Sequence, residues 1–195
     1  RGLAFSMRQT KEIVAANVYN RAQTSGFNGG DGSTMISGSH SNFAGGTQSN
    51  RLTVAAALSE AALEDACIDI QKWTDDRGLK ISVMPQSLII PVDLMFEAER
   101  IMGSQYRTSG IANQGSGNPL SNPSVNDVNA LYAMGKFPGG VKVNHYLTNS
   151  NGWFIRTNVK DGMKHFERRA AQFTNDSDFE TENAKFKATE RYSFG

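Results

Sequence analysis

Cysteine is nearly missing. Cys67 is the one thiol among 195 residues, so no internal disulfide can form, and with three scattered histidines no Cys-rich zinc site can be assembled. That usage fits a reducing compartment. Charge of one sign is missing as well: 20 basic groups against 19 acidic leave a net +1, without the basic field of a free-standing DNA binder. No apolar run approaches the ~20 residues that span a bilayer, which argues against a membrane partner. The first residue is Arg1, not Met, and no signal-peptide pattern follows, which reads as a processed or truncated piece. Catalytic signatures are equally scarce. There is no Gly-x-Ser-x-Gly elbow, no His-Glu-x-x-His, no CxxC pair, and no Lys-Ser/Thr after the glycines to make a P-loop.

What is present is uncharged polarity, with Asn, Ser, Thr and Gln throughout. The apolar share is 38%, and counting Gly while omitting Tyr brings it to about 45%, the lower edge of ordinary globular usage. Size scaling lets a chain of this mass bury about 70% of its unfolded surface, enough to fold without staples as one domain or two small ones.

Along the chain, residues 6–23 read as a helix with Met7, Ile13, Val14, Val18 and Ala22 on its apolar face. A Gly-rich excursion follows, in which Thr34-Met35-Ile36-Ser37 reads as a short strand and His40 sits on a poor scaffold for a positioned base. The clearest helix is Ser59–Arg77. Ser59 serves as N-cap, Glu60 favours the positive end of the dipole, Leu58 and Leu63 form a staple, and Gly78 is the stop. Cys67 falls on its buried stripe and reads as an inert core residue. Ile81–Met84 and Leu88–Ile90 read as buried strands, and Pro91 opens a helix to about Met102, with Leu94, Met95, Ala98, Ile101 and Met102 inward.

Residues 103–125 predict a long loop, and a short helix is expected near Asn126–Met134. Val141–Leu147 and Trp153–Thr157 read as a hairpin, with His145 packed and hydrogen-bonded on the apolar parity. Two more strands close the chain, His165–Phe173 and Ala184–Phe194. In the second, Phe186, Ala188, Tyr192 and Phe194 share one face with Glu190, which needs a partner; Lys185, Lys187, Thr189, Arg191 and Ser193 share the other. Charge comes in blocks: Lys160, Lys164, Arg168 and Arg169, then Asp176, Asp178, Glu180 and Glu182, then Lys185, Lys187 and Arg191. Such blocks either set registry between neighbouring subunits or line an ordinary solvated strand pair. The acidic crossing lacks the sixth-position Gly and the Glu spacing of an EF-hand loop, which argues against calcium. No catalytic, cofactor-binding or metal-ligating residue is nominated, and the chain does not read as an enzyme.

Several runs resemble a known family. Leu88-Ile89-Ile90-Pro91 leading into Phe96-Glu97-Ala98-Glu99-Arg100-Ile101 is similar to a segment of tailed-bacteriophage major capsid proteins. So are Tyr146-Leu147-Thr148 with Trp153-Phe154, the ending from Phe166-Glu167-Arg168-Arg169 through Asp178-Phe179-Glu180-Thr181-Glu182 to Tyr192-Ser193-Phe194-Gly195, and Gln9-Thr10-Lys11-Glu12 with Val14-Ala15-Ala16-Asn17-Val18.

The resemblance implies an α+β shell fold shared with encapsulins and herpesvirus capsid floors: a spine helix, a peripheral β-sheet and an α/β axial domain. On this basis residues 1–58 form the peripheral part, with the spine helix at 6–23 and a Gly-rich loop. Residues 59–158 form the axial domain, and 159–195 return to complete the periphery. The N-terminal arm and extended loop of the family are not seen, so the chain is expected to be a fragment.

The implied function is self-assembly, as hexamers and pentamers, into an icosahedral head enclosing double-stranded DNA that is contacted only non-specifically. The other implied partners are virion proteins: a portal and a scaffold or decoration protein. The implied location is the virion, after assembly in the host cytoplasm. An encapsulin-like cellular compartment is the nearer alternative, and a small α/β enzyme or ligand-binding domain on 59–158 the more distant one.

Overall fold

The computed structural model describes residues 2–106, 128–160, 162–177, 180 and 182–195. Helices and sheets are mixed, an α+β composition, and contacts divide the chain into two units: Arg1–Tyr19 with Lys160–Gly195, and Asn20–Val159.

In the Asn20–Val159 unit the best-formed helix is α2, Glu60–Lys72 (α1 belongs to the other unit). Ser59 Oγ accepts the Ala62 N–H at 3.2 Å, and Leu63, Ala66, Cys67 and Ile70 are buried, as the helical period requires. The helix stops at Lys72, five residues short of Arg77. Asp75 Oδ1 accepts the N–H groups of Arg77 and Leu79 at 2.9 and 2.8 Å, so an Asx turn competes successfully for the backbone. Gly78, at φ +83°, serves that turn instead of a helix C-terminus.

The sheet corrects two expectations. Of the two apolar runs, only one strand forms, β3 (Pro85–Ile90), and Ile81–Met84 lies outside it. Pro85 takes the first strand position, where a missing N–H is tolerated. The expected hairpin is absent: β4 (Val141–Val143) and β5 (Phe154–Thr157) do not pair with each other but flank β3, in the order β4-β3-β5. β3 runs parallel to β4, with Leu88 opposite Val141, and antiparallel to β5, with Leu88 opposite Ile155. Leu88 and Ile90 are fully buried, and a strand buried that deeply needs ladder bonds along both edges. The β4 strand ends where Asn144 turns its own chain, Oδ1 accepting the Tyr146 N–H at 2.9 Å. His145, expected to pack, is therefore exposed on a loop.

After Pro91 the chain makes a 3₁₀ turn, Val92–Leu94, before α3 (Met95–Gly103). Ala98 and Ile101 are buried and Leu94 and Met102 pack on the core, whereas Met95 is exposed. The short helix forms as α4, Ala130–Ala133. From residue 107 the expected 103–125 loop lies outside the described residues. The core gathers Leu58, Leu63, Cys67, Leu88, Ile90, Ala98, Ile101, Leu131 and Phe137.

In the Gly-rich stretch the expected Thr34–Ser37 strand is replaced by the short antiparallel pair β1 (His40–Ser41) and β2 (Thr47–Gln48). Residues 35–37 are instead bridged by the Asn50 amide, which donates to the Met35 carbonyl and accepts the Ser37 N–H.

In the other unit, α1 spans Gly2–Asn20 rather than 6–23. Of its expected apolar face, Met7 and Val18 are half-buried and Ile13 and Val14 exposed, while Ala16 is its buried residue. Ala22 is buried but lies beyond the helix, in the Asn20–Val159 unit. The unit's sheet is a two-stranded ribbon, β6 (His165–Ser177) with β7 (Ala184–Phe194).

Candidate functional site

The ribbon is the most unusual surface of the chain. Every residue of β6 is exposed, and a two-stranded sheet without cover is at best marginally stable in water. Its register explains which side chains share a face. His165 pairs with Phe194, Glu167 with Tyr192, Phe173 with Ala188 and Asn175 with Phe186, so these form one face. Phe166 with Ser193, Arg169 with Arg191, Gln172 with Thr189, Thr174 with Lys187 and Asp176 with Lys185 form the other.

The partition of β7 follows the sequence alternation. That of β6 does not, because register shifts occur between Glu167 and Arg169 and again between Arg169 and Gln172. Each inserts one extra β6 residue, which is why β6 has 13 residues against 11 in β7. Arg168 is the extra residue of the first bulge. The break in alternation across Arg168-Arg169-Ala170-Ala171 was the available signal.

The apolar face meets α1. Lys11 Nζ lies 3.8 Å from Glu167 Oε2 and 5.1 Å from the Tyr192 ring centre, joining an ion pair to a cation–π contact. The His165 ring lies tilted against Phe194 and Tyr192 meets Phe194 edge to face, at ring separations of 4.9 and 5.5 Å. Burial raises the Tyr192 phenol, and the neighbouring Glu190 carboxylate raises it further. Leu3 and Ala4 with Phe173 and Phe186 line an open apolar depression of about 480 Å³. Phe173 and Phe186 stay 56% and 73% exposed and share one face of the ribbon, an exposed apolar pair of the kind found at interaction surfaces.

The opposite face is polar and basic. Arg169 stands directly across from Arg191, both exposed, with neither making an ion pair among the described residues. Like charges in that relation destabilise a strand pair.

Elsewhere, chemistry is sparse. His40, expected on a poor scaffold, is held firmly: Nδ1 lies 2.6 Å from Asp31 Oδ2, while Asp31 Oδ1 accepts the Ser33 N–H at 3.0 Å. The His40 contact, then the Ser33 N–H, draws the Asp31 carboxyl below its usual range. Nothing in the spacing of residues 31 and 40 announces that pair. His40 Nε2 has no hydrogen-bond partner among the described residues, and the Asp31–His40 contact ties together two ends of the Gly-rich loop. Cys67 is buried, and that burial pushes its thiol up, away from the reactive thiolate. Among the described residues no cluster of three or more His, Cys, Asp or Glu is placed to hold a metal, and no helix is long and apolar enough to cross a membrane. The acidic crossing lies partly outside the described residues, at 178, 179 and 181.

The family whose sequence model matches this chain is described as "Phage capsid protein", and the match covers residues 1–195. No curated protein and no solved structure matches it.

Proposed function

Starting from the fact that the chain belongs to a phage capsid protein family, we propose that this structural protein is the major head subunit, self-assembling as hexamers and pentamers into an icosahedral shell around double-stranded DNA. The single observation that carries this reading is the ribbon: a 13-residue strand exposed throughout, with uncovered Phe166, Phe173 and Phe186. A ribbon with one face left open gains stability when neighbours cover it, and many weak, repeated contacts sum to a stable shell. Near-zero net charge limits repulsion between packed copies and disfavours tight binding to the enclosed DNA.

In this reading residues 59–158 form the axial domain, and 1–58 with 159–195 the periphery. The grouping of Arg1–Tyr19 with Lys160–Gly195 supports the return of the chain end to that periphery. A portal and a scaffold or decoration protein complete the partners. The protein resides in the virion after assembly in the host cytoplasm, without catalytic, cofactor or metal residues. Expression of the full-length protein followed by electron microscopy tests this: closed particles are expected, and a dispersed protein at high concentration overturns it. Nucleic acid inside the particles, in place of protein cargo, distinguishes a viral head from an encapsulin-like compartment.

A further inference from the structure

The ribbon's basic face sets two like charges against each other, and neither makes an ion pair among the described residues. Arg169 and Arg191 are directly opposite, Lys187 lies further along the same face, and all three are exposed. Residues directly opposite have Cβ atoms about 5 Å apart, and like charges there repel modestly in water, a repulsion that an anionic surface over them relieves. Phe166, 56% exposed, shares that face and supplies an apolar contact beside the charges.

The complementary surface exists on the same polypeptide. Residues 60–76 hold six acids and one base. On the outer side of α2, Asp65 and Asp69 are exposed, with Ile68, itself 49% exposed, beside them. Residues four apart on a helix have Cβ atoms about 6 Å from each other, close to the Cβ spacing of two residues opposite across a strand pair. Each surface thus presents one large apolar side chain among charges mainly of one sign, and the majority signs are opposite: Asp176 is the one acid on the ribbon face, and the exposed Lys72 the one base on the outer side of α2.

We infer that the basic face of the β6–β7 ribbon docks on the acidic outer face of α2 in a second copy of this chain. The inference rests on the capsid reading and identifies one of its subunit contacts. On the capsid reading many copies of this chain pack together, and the complementary charge of the two faces makes a second copy the occupant. Opposite charge then sets the register between copies, and Phe166 and Ile68 exclude water at its centre.

The experiment uses the full-length protein and two double variants, Arg169→Glu with Arg191→Glu and Asp65→Lys with Asp69→Lys, each alone and all four substitutions combined. Each double variant alone is expected to lower particle yield by about tenfold or more, and the combination to restore it, because the pairing is only exchanged. Circular dichroism checks folding, and where a reversal unfolds the subunit, Arg169→Gln with Arg191→Gln replaces it, with a smaller loss expected. Unrestored assembly in the combined variant overturns the inference. So do arginine variants that form normal particles but retain less DNA, which would assign the face to nucleic acid. If the unaltered protein forms no particles at all, the capsid reading itself fails, a result distinct from either.

Discussion

Asn129 donates a hydrogen bond to the carbonyl of Ile101, 28 residues earlier, and so ties α4 to the end of α3. The same amide nitrogen reaches the Ser104 carbonyl, and Oδ1 accepts the Leu131 and Tyr132 N–H groups, so one buried side chain caps one helix and closes another. Replacing Asn129 by Ala removes the cap and orphans buried carbonyls, at a cost of about 2–4 kcal/mol. Asn129→Asp retains the acceptor but sets a carboxylate oxygen against two carbonyl oxygens in a buried site, and is expected to cost at least as much as the Ala variant. Urea unfolding of the three proteins checks the order.

A second prediction concerns close approach. Gly139 donates its N–H to the Gln86 carbonyl, and a Cβ there would stand 2.8 Å from that oxygen and 3.2 Å from Ser87 Cβ. Both neighbours belong to β3, the central strand, which cannot yield without disturbing its ladders. Gly139→Ala is expected to destabilise by about 1–3 kcal/mol, read as a lowered urea midpoint with unchanged slope.

Core and surface separate sharply. Leu88, with no exposed surface, is expected to cost about 2–5 kcal/mol when cut to Ala, since a cavity remains among side chains from both flanking strands. Phe43, 89% exposed, is expected to change folding stability by less than about 0.5 kcal/mol when cut to Ala. Equal effects in thermal melts would contradict the assigned core.

The Asp31–His40 contact predicts a pH dependence confined to the Gly-rich loop. The Asp31 carboxyl is depressed in the folded chain, so its stabilising contribution is fully present above the ordinary aspartate value of about 3.9. It is lost as pH falls through the lower folded value. Amide exchange in residues 31–41 should accelerate in that acid window, and Asp31→Asn should remove the dependence. Equal acid sensitivity in the Asn variant would refute the assignment.

Reversal of Arg168 and Arg169 to Glu is expected to impair assembly more than folding. Arg168 occupies a bulge and Arg169 the basic face, both exposed, so neither supports the unit's interior. Normal particles by electron microscopy, with an unchanged melting temperature, would remove this segment from the interfaces.

Much of the fold was legible because it is local. Ser59 announces α2 through its capping geometry, and Leu63, Ala66, Cys67 and Ile70 repeat at the helical period. The strand Ala184–Phe194 follows from strict alternation, and its two faces emerged as expected. The misread features depend on competition between distant segments. Asp75 captured the backbone that would have lengthened α2, and β3 inserted between two strands whose proximity along the chain suggested a hairpin. The candidate surface was half legible: the charge blocks are visible in sequence, but the bulges that set Arg169 against Arg191 are not.

By itself, the sequence determined the α+β composition, the buried stripe around Cys67, the polar near-neutral surface, and a resemblance to phage capsid proteins that the family match over residues 1–195 supports. Tertiary structure alone decided the order β4-β3-β5, the pairing of Asp31 with His40 and the register of the ribbon. The reason is physical. Periodicity and capping are energies between near neighbours in the chain, whereas strand order and register are chosen by which distant partner best satisfies a buried strand's hydrogen bonds.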